Sequence, residues 1–162
     1  MITIKSETPM NTQKKELAVA ALRNGTVIDH IPSTALFKVV KLLGIENVGT
    51  HVTIGNNLDS RLMGTKGIIK IADVFFPEET LNRIAIIAPG AVINIIRDFE
   101  VVEKRHVELP DEIVGIVKCG NPKCITNNEP MRTRFTVADR QSLTLRCNYC
   151  CKEVGSADVQ LC

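Results

Sequence analysis

The sequence predicts an α+β protein, a ferredoxin-like βαββαβ unit followed by a small antiparallel β unit closed around a metal. Three observations lead there. The chain is 44% apolar, yet it holds only five Phe, one Tyr and no Trp, so its core must be built from Val, Ile and Leu, whose β-branched members favour strands. Apolar spacing over the first two thirds switches between period two and period 3.6, the marks of strand and helix. All six cysteines lie in the last 44 residues, with none before Cys119.

Residues 1–16 are polar, carry no apolar core before a cleavage site, and read as a flexible arm in which Met10 is an alternative start. Leu17–Arg23 is short and apolar, and Asn24-Gly25 behind it signals a turn. Thr26–Ile31 is extended and ends at Pro32. Ser33 or Thr34 can cap a helix whose Leu36, Val39, Val40 and Leu43 share one face, with Gly44 as its stop. Thr50–Gly55 alternates as a half-buried strand does. Asn56–Gly67, rich in Asn, Asp and Gly, reads as a turn region, and Ile68–Ala72 as another strand. A second helix follows Pro77, with Glu78 and Glu79 in its first turn and Leu81, Ile84, Ala85 and Ala88 as its stripe. Pro89-Gly90 ends it, and Ala91–Arg97 and Phe99–Lys104 are strands on either side of Asp98. The order β, α, β, β, α, β plus a closing strand gives one helix-covered sheet face and leaves the other open to a ligand or partner. The expected organisation is an arm at 1–16, a first domain at 17–105, a linker at 106–112 around Pro110, and a second domain at 113–162.

Charge excludes some functions. The chain nets +2, and the balance is even: 12 basic and 11 acidic residues up to 104, then 8 and 7. Neither part has the positive field of a non-specific nucleic-acid binder. No apolar run approaches a membrane span, so no membrane contact and a cytoplasmic location are expected. There thiols stay reduced, and the six cysteines read as metal ligands or spectators rather than disulfides.

The cysteine spacing is the most specific signal. Cys119-x4-Cys124 and Cys147-x2-Cys150 are two hooks separated by 22 residues, a pattern that suits one tetrahedral Zn2+. Four protein ligands leave no open position, so the ion is structural. Cys151 adjoins Cys150, but the hook spacing favours Cys150, and Cys162 is a bystander. A redox pair at Cys147 and Cys150 is the competing reading. A zinc-ribbon nucleic-acid binder using Arg132, Arg134, Arg140 and Arg146 is another.

In the first domain Asp29-His30 adjoins a glycine turn, and Lys70 and Lys104 end expected strands. Taken alone these say little, since lysines at strand ends are usually solvated. As a catalytic dyad Asp29-His30 is poor, because neighbours on a strand point to opposite faces. No nucleophile elbow, P-loop or dinucleotide fingerprint occurs.

Asn24–Pro32 (NGTVIDHIP), Ile54–Leu58 (IGNNL), Gly67–Ile71 (GIIKI), Ala88-Pro89, Val92–Asn94, Glu100–Lys104 (EVVEK), Cys119–Pro130 (CGNPKCITNNEP) and Cys147–Cys150 (CNYC) together resemble the aspartate carbamoyltransferase regulatory chain. The resemblance runs from about Leu17 to Val154. It implies a non-catalytic, allosteric subunit of pyrimidine biosynthesis that binds CTP and ATP, and UTP as a further candidate, in its first domain. It further implies a zinc domain that contacts the catalytic chain, and a homodimer of regulatory chains that links catalytic trimers. Lys104 and His30 match positions at the triphosphate, where cationic donors give strong hydrogen bonds. Asp29 and Lys70 match positions near ribose and base, and Asn94 a further polar position. Val19, Leu22, Val27, Ile68, Ile96 and Val101 would wall the base and sugar, with the backbone of Ala21–Leu22 reading the exocyclic amine. Phe99 replaces a familiar Tyr and Ala20 an acidic residue, which bears on the choice of base.

Overall fold

The computed structural model describes residues 21–162; the arm, Val19 and Ala20 lie outside the described residues. The first unit runs β1 (Gly25–Ile31), α1 (Leu36–Leu42), β2 (Val52–Ser60), β3 (Gly64–Ala72), α2 (Glu78–Ile87), β4 (Val92–Arg97) and β5 (Glu100–His106). Its sheet has the order β2-β3-β1-β4-β5, and every neighbouring pair is antiparallel. The βαββαβ order expected from periodicity is present, with β5 added at the edge.

The core explains the layering. Ile69, Ile28 and Ile93 stand opposite one another on β3, β1 and β4, and all are essentially inaccessible. Leu36 and Val39 of α1, and Leu81, Ile84 and Ala85 of α2, close over this row. Each such Leu, Ile or Val side chain contributes about 1.5–3 kcal/mol on burial, so both helices are held to one face. Gly44 ends α1 in the left-handed conformation (φ 59°), its N–H donating to the Lys41 carbonyl at 3.2 Å. The expected Ser33 or Thr34 cap is not made. Ala35 occupies the cap position, its N–H donating to the Pro32 carbonyl at 2.8 Å, while Ser33 Oγ meets Thr65 Oγ1.

Asn56–Gly67 is not a turn region. β2 and β3 continue through it, pairing Leu58 with Lys66 and Ser60 with Gly64, and only residues 61–63 turn. The asparagines sit in a register slip between Gly55 and Leu58, where Asn57 takes φ 55°. A bulge accommodates turn-type residues without ending a strand. The β4–β5 hairpin turns on Asp98-Phe99, both at positive φ, as a two-residue hairpin loop requires.

The second unit holds β6 (Glu112–Val114), β7 (Val117–Lys118), α3 (Ile125–Asn128), β8 (Arg134–Asp139), β9 (Thr144–Cys147), β10 (Glu153–Val154) and β11 (Gln160–Leu161). The strands form one sheet β10-β9-β8-β6 and a β11-β7 pair, all antiparallel. Its core of Ile113, Val117, Phe135, Leu143 and Leu145 receives Ile86 from α2 and Leu109 from the connecting segment. That segment also buries Val107 in the first core, so it is pinned at both ends. Arg140 adds a clasp, with Nη1 donating to the Leu109 carbonyl at 2.6 Å and Nη2 pairing with Asp111.

Gly25 has φ 140°, and a Cβ there would meet the Ile71 carbonyl oxygen at 2.0 Å; a Cβ on Gly49 would meet nothing within 4 Å. Gly25→Ala is therefore expected to lower stability by more than about 1 kcal/mol, whereas Gly49→Ala is neutral or stabilising by a few tenths. Urea unfolding of the two variants measures the contrast.

Candidate functional site

Two places in the fold gather polar chemistry. In the second unit, Cys119 follows β7, Cys124 precedes α3, Cys147 ends β9 and Cys150 lies in the next turn. Their four sulfurs lie within 4.8 Å of one another. Cys119 and Cys150 Sγ are 3.6 Å apart, Cys124 and Cys147 Sγ 3.8 Å. A zinc tetrahedron with bonds of about 2.3 Å has edges of about 3.8 Å, so the donor set fits that ion by type and spacing. Cys119, Cys124 and Cys147 are buried, and Cys151 is exposed at φ 63°, which leaves Cys150 as the fourth ligand.

Asparagines fasten the first hook, a contribution the sequence reading did not recognise. Asn127 Nδ2 donates to the Cys119 and Asn121 carbonyls, both at 2.8 Å, and Asn128 Nδ2 to those of Pro122 and Cys124. Two asparagines three and four residues after a hook cysteine are the signal that could have found them, because a short amide side chain bonds nearby backbone carbonyls. In the second hook the Cys147 N–H donates to the Lys152 carbonyl and the Cys151 N–H to the Cys147 carbonyl, each at 2.9 Å. Burial pushes the Cys119 thiol up to about 12 and raises Cys147 as well. At Cys150 burial acts in the same direction, but the Lys152 N–H, the Asn121 side chain and neighbouring thiols outweigh it and hold this thiol down to about 6. A metal must therefore displace protons from the buried thiols on entry.

Three of the four inter-hook arginines are paired with carboxylates, and Arg132 is left exposed. Arg134 pairs with Glu112 at 3.2 Å, Arg146 with Glu153 at 2.6 Å, and Arg140 with Asp111. This leaves little of the basic surface that a zinc-ribbon nucleic-acid binder needs.

The second place is the helix-free face of the large sheet. Directly paired residues on antiparallel strands share a face. Thr53, Lys70, Val27, Asn94 and Lys104 thus form one row across β2, β3, β1, β4 and β5. Gly25, Ile96 and Val101 form the next row on one side, and Asp29, Val92 and His106 the next on the other. Ile68 stands opposite Gly55 on the same face. Val27 and Ile96 are buried, Lys70 and Asn94 half-buried, Lys104 and Val101 exposed. Leu22 is half-buried against the Gly25 backbone. The sheet thus places Asp29, Lys70, Val27, Ile68, Asn94, Ile96, Val101 and Lys104 on one face, with Leu22 beside it, while Val19 lies outside the described residues. Burial lowers the Lys70 pKa, and Asp29 partly restores it.

Asp29 and His30 do not point to opposite faces. His30 has φ 57°, its N–H donates to Asp29 Oδ1 at 2.6 Å, and its Nδ1 lies 3.6 Å from Asp29 Oδ2. The left-handed residue breaks the alternation where the β1–β3 register slips between Ile28 and Ile31. Among the described residues, buried His30 Nδ1 and Asn56 Oδ1 have no hydrogen-bond partner. Lys66, hidden within the supposed turn, grips Asp29 with Nζ at 2.7 Å from Oδ1 and 3.0 Å from Oδ2.

Residues 17–108 match the allosteric domain of the aspartate carbamoyltransferase regulatory chain, and 111–160 match its metal-binding domain. The chain belongs to this family. It is 60% identical to the regulatory chain of Parabacteroides distasonis over 147 residues, 91% of this chain and 96% of that one. The Bacteroides thetaiotaomicron chain is 61% identical over 152 residues, covering 94% and 99%. The Pyrococcus abyssi chain is 48% identical over 137 residues, covering 83% and 90%. This regulatory chain is accordingly a non-catalytic subunit with an allosteric domain and a metal-binding domain, the latter carrying one structural zinc. Among the described residues, no helix is long and apolar enough to cross a membrane.

Cys150→Ser is expected to abolish stoichiometric zinc, while Cys151→Ser retains one ion per chain by metal analysis. Because metal replaces protons on thiols raised by burial, zinc affinity should fall as pH falls. Proton release on zinc addition, read by calorimetry in buffers of different ionisation enthalpy, checks the sign.

Proposed function

We propose that the open sheet face binds the triphosphates CTP and ATP, with UTP as a further effector, and that the zinc unit holds the chain to the catalytic chain of aspartate carbamoyltransferase. The cross-strand row Lys70–Val27–Asn94–Lys104 carries the first part. Two ammonium groups flank an apolar floor at Val27 and Ile96, with Asn94 between them. That combination suits a planar base and sugar with a polyphosphate at one side. Lys104 and His30 meet phosphate, and Asp29 accepts from ribose hydroxyls with Lys70 beside it. Leu22, Ile68 and Val101 close around the base. Lys66 holds the Asp29 carboxylate in place for that role.

In this reading the allosteric domain spans 17–105, the linker 106–112 and the zinc domain 113–162. Homodimers of the chain link catalytic trimers in the cytoplasm. Effector binding biases two states of the whole assembly by about 1–3 kcal/mol. The pinned segment around Pro110 conveys that bias, because Val107 and Leu109 lie in different cores.

Lys104→Ala should weaken CTP binding to the full chain by roughly ten- to a hundredfold, matching about 1.5–3 kcal/mol for a charged hydrogen bond. Isothermal titration of wild type and variant decides it, and equal affinities would remove Lys104 from the site. Mixing the chain with catalytic trimer should give a complex that zinc chelation dissociates. Assembly insensitive to the chelator, read by light scattering, would contradict the role given to the zinc unit.

A further inference from the structure

On the opposite side of the large sheet, between its helices and the C-terminal turn of the zinc unit, lies a cavity of about 450 Å³. That is within the range of small-molecule sites. It is separate from both the four cysteines and the open sheet face. Its floor is apolar: Leu42 ends α1, Ile87 ends α2, and Leu161 belongs to β11. Lys38, Lys41 and Arg83 supply its charge, and no Asp or Glu side chain lines it.

The three cations differ in how they are engaged. Lys38 Nζ donates to the carbonyls of Ser156 and Ala157 at 3.5 and 3.3 Å, which holds its ammonium beside the other unit without neutralising it. Arg83 Nη2 lies 3.6 Å from Glu79, an exposed pair one helical turn apart, and such a pair is weak. Lys41 has no hydrogen-bond or ion-pair partner among the described residues. Three positive charges thus stand around an apolar floor, opposed by the exposed Glu79 and by the backbone carboxylate of Cys162, which also lines the cavity.

We propose that this cavity binds a small amphipathic organic anion, an apolar ring or short chain bearing one carboxylate or sulfonate. The apolar body lies on Leu42, Ile87 and Leu161, and the anionic group meets Lys41 and Arg83. Both units supply walls, so the ligand binds only when α1 and α2 face the C-terminal turn. It therefore stabilises that arrangement of the two units without touching the nucleotide face.

The test uses the zinc-loaded full chain and 8-anilinonaphthalene-1-sulfonate, an apolar ring system with one sulfonate. Fluorescence titration should show one saturable site per chain, not displaced by saturating CTP. The neutral analogue N-phenyl-1-naphthylamine should bind much more weakly. Lys41→Glu combined with Arg83→Glu should weaken the sulfonate probe at least about tenfold, because two attractions become repulsions. Gln160→Trp, which fills the cavity from β11, should do so without altering charge. Unchanged zinc content and circular dichroism establish that the variants fold. Wild-type affinity in both variants, displacement by CTP, or equal binding of the neutral probe would each overturn the proposal.

Discussion

The constraint on which the second half of the molecule depends is the convergence of four sulfurs to tetrahedral spacing. The unit from 112 to 161 has short strands, of two to six residues, and a core of few large side chains. A core that small does not hold such a chain alone, whereas a bound zinc adds about 10–16 kcal/mol of apparent binding free energy. Three of the four ligands are themselves members of that core, so metal bonds and apolar packing are one structure. Through Ile86 and Leu109 the same core reaches the first unit. The metal thereby fixes what α2 packs against on its second face.

The first unit needs no such staple. Its isoleucine row and two helices give a dry face, and the alternation of the strands puts the remaining side chains on the other. The consequence is electrostatic as well as geometric. Lys70 is held half-buried on an apolar sheet face, where its charge costs more and attracts an anion more strongly than it would in water. The Asp29–Lys66 pair and the left-handed His30 sit at the slip in the β1–β3 register, so the polar corner of the face is made by a bulge.

Much of this could be read from residues alone, and most of the exceptions share one cause. The β and α order followed from period, and the four ligands from hook spacing, because both are local properties of the chain. The turn inferred at Asn56–Gly67, the opposed faces inferred for Asp29 and His30, and the oversight of Lys66 all occur at register slips. A bulge reverses the alternation that strand arguments assume, and only pairing with a neighbouring strand reveals it. The Ser33 or Thr34 cap failed for a related reason: the turn after Pro32 delays the helix until Ala35 has taken the cap position. The support that Asn127 and Asn128 give the first hook is local, their amides reaching carbonyls four to eight residues back, but it depends on the hook's own reversal.

The central claim is that the metal, rather than the small apolar core, holds the second unit together while the first stands without it. Amide hydrogen exchange of the full chain, with zinc bound and after its removal by a chelator, tests this most directly. The account predicts that protection over β6 to β11 collapses to the level of unfolded chain, while β1, β3 and β4 keep theirs. Retained protection in β8 and β9 without zinc would contradict it.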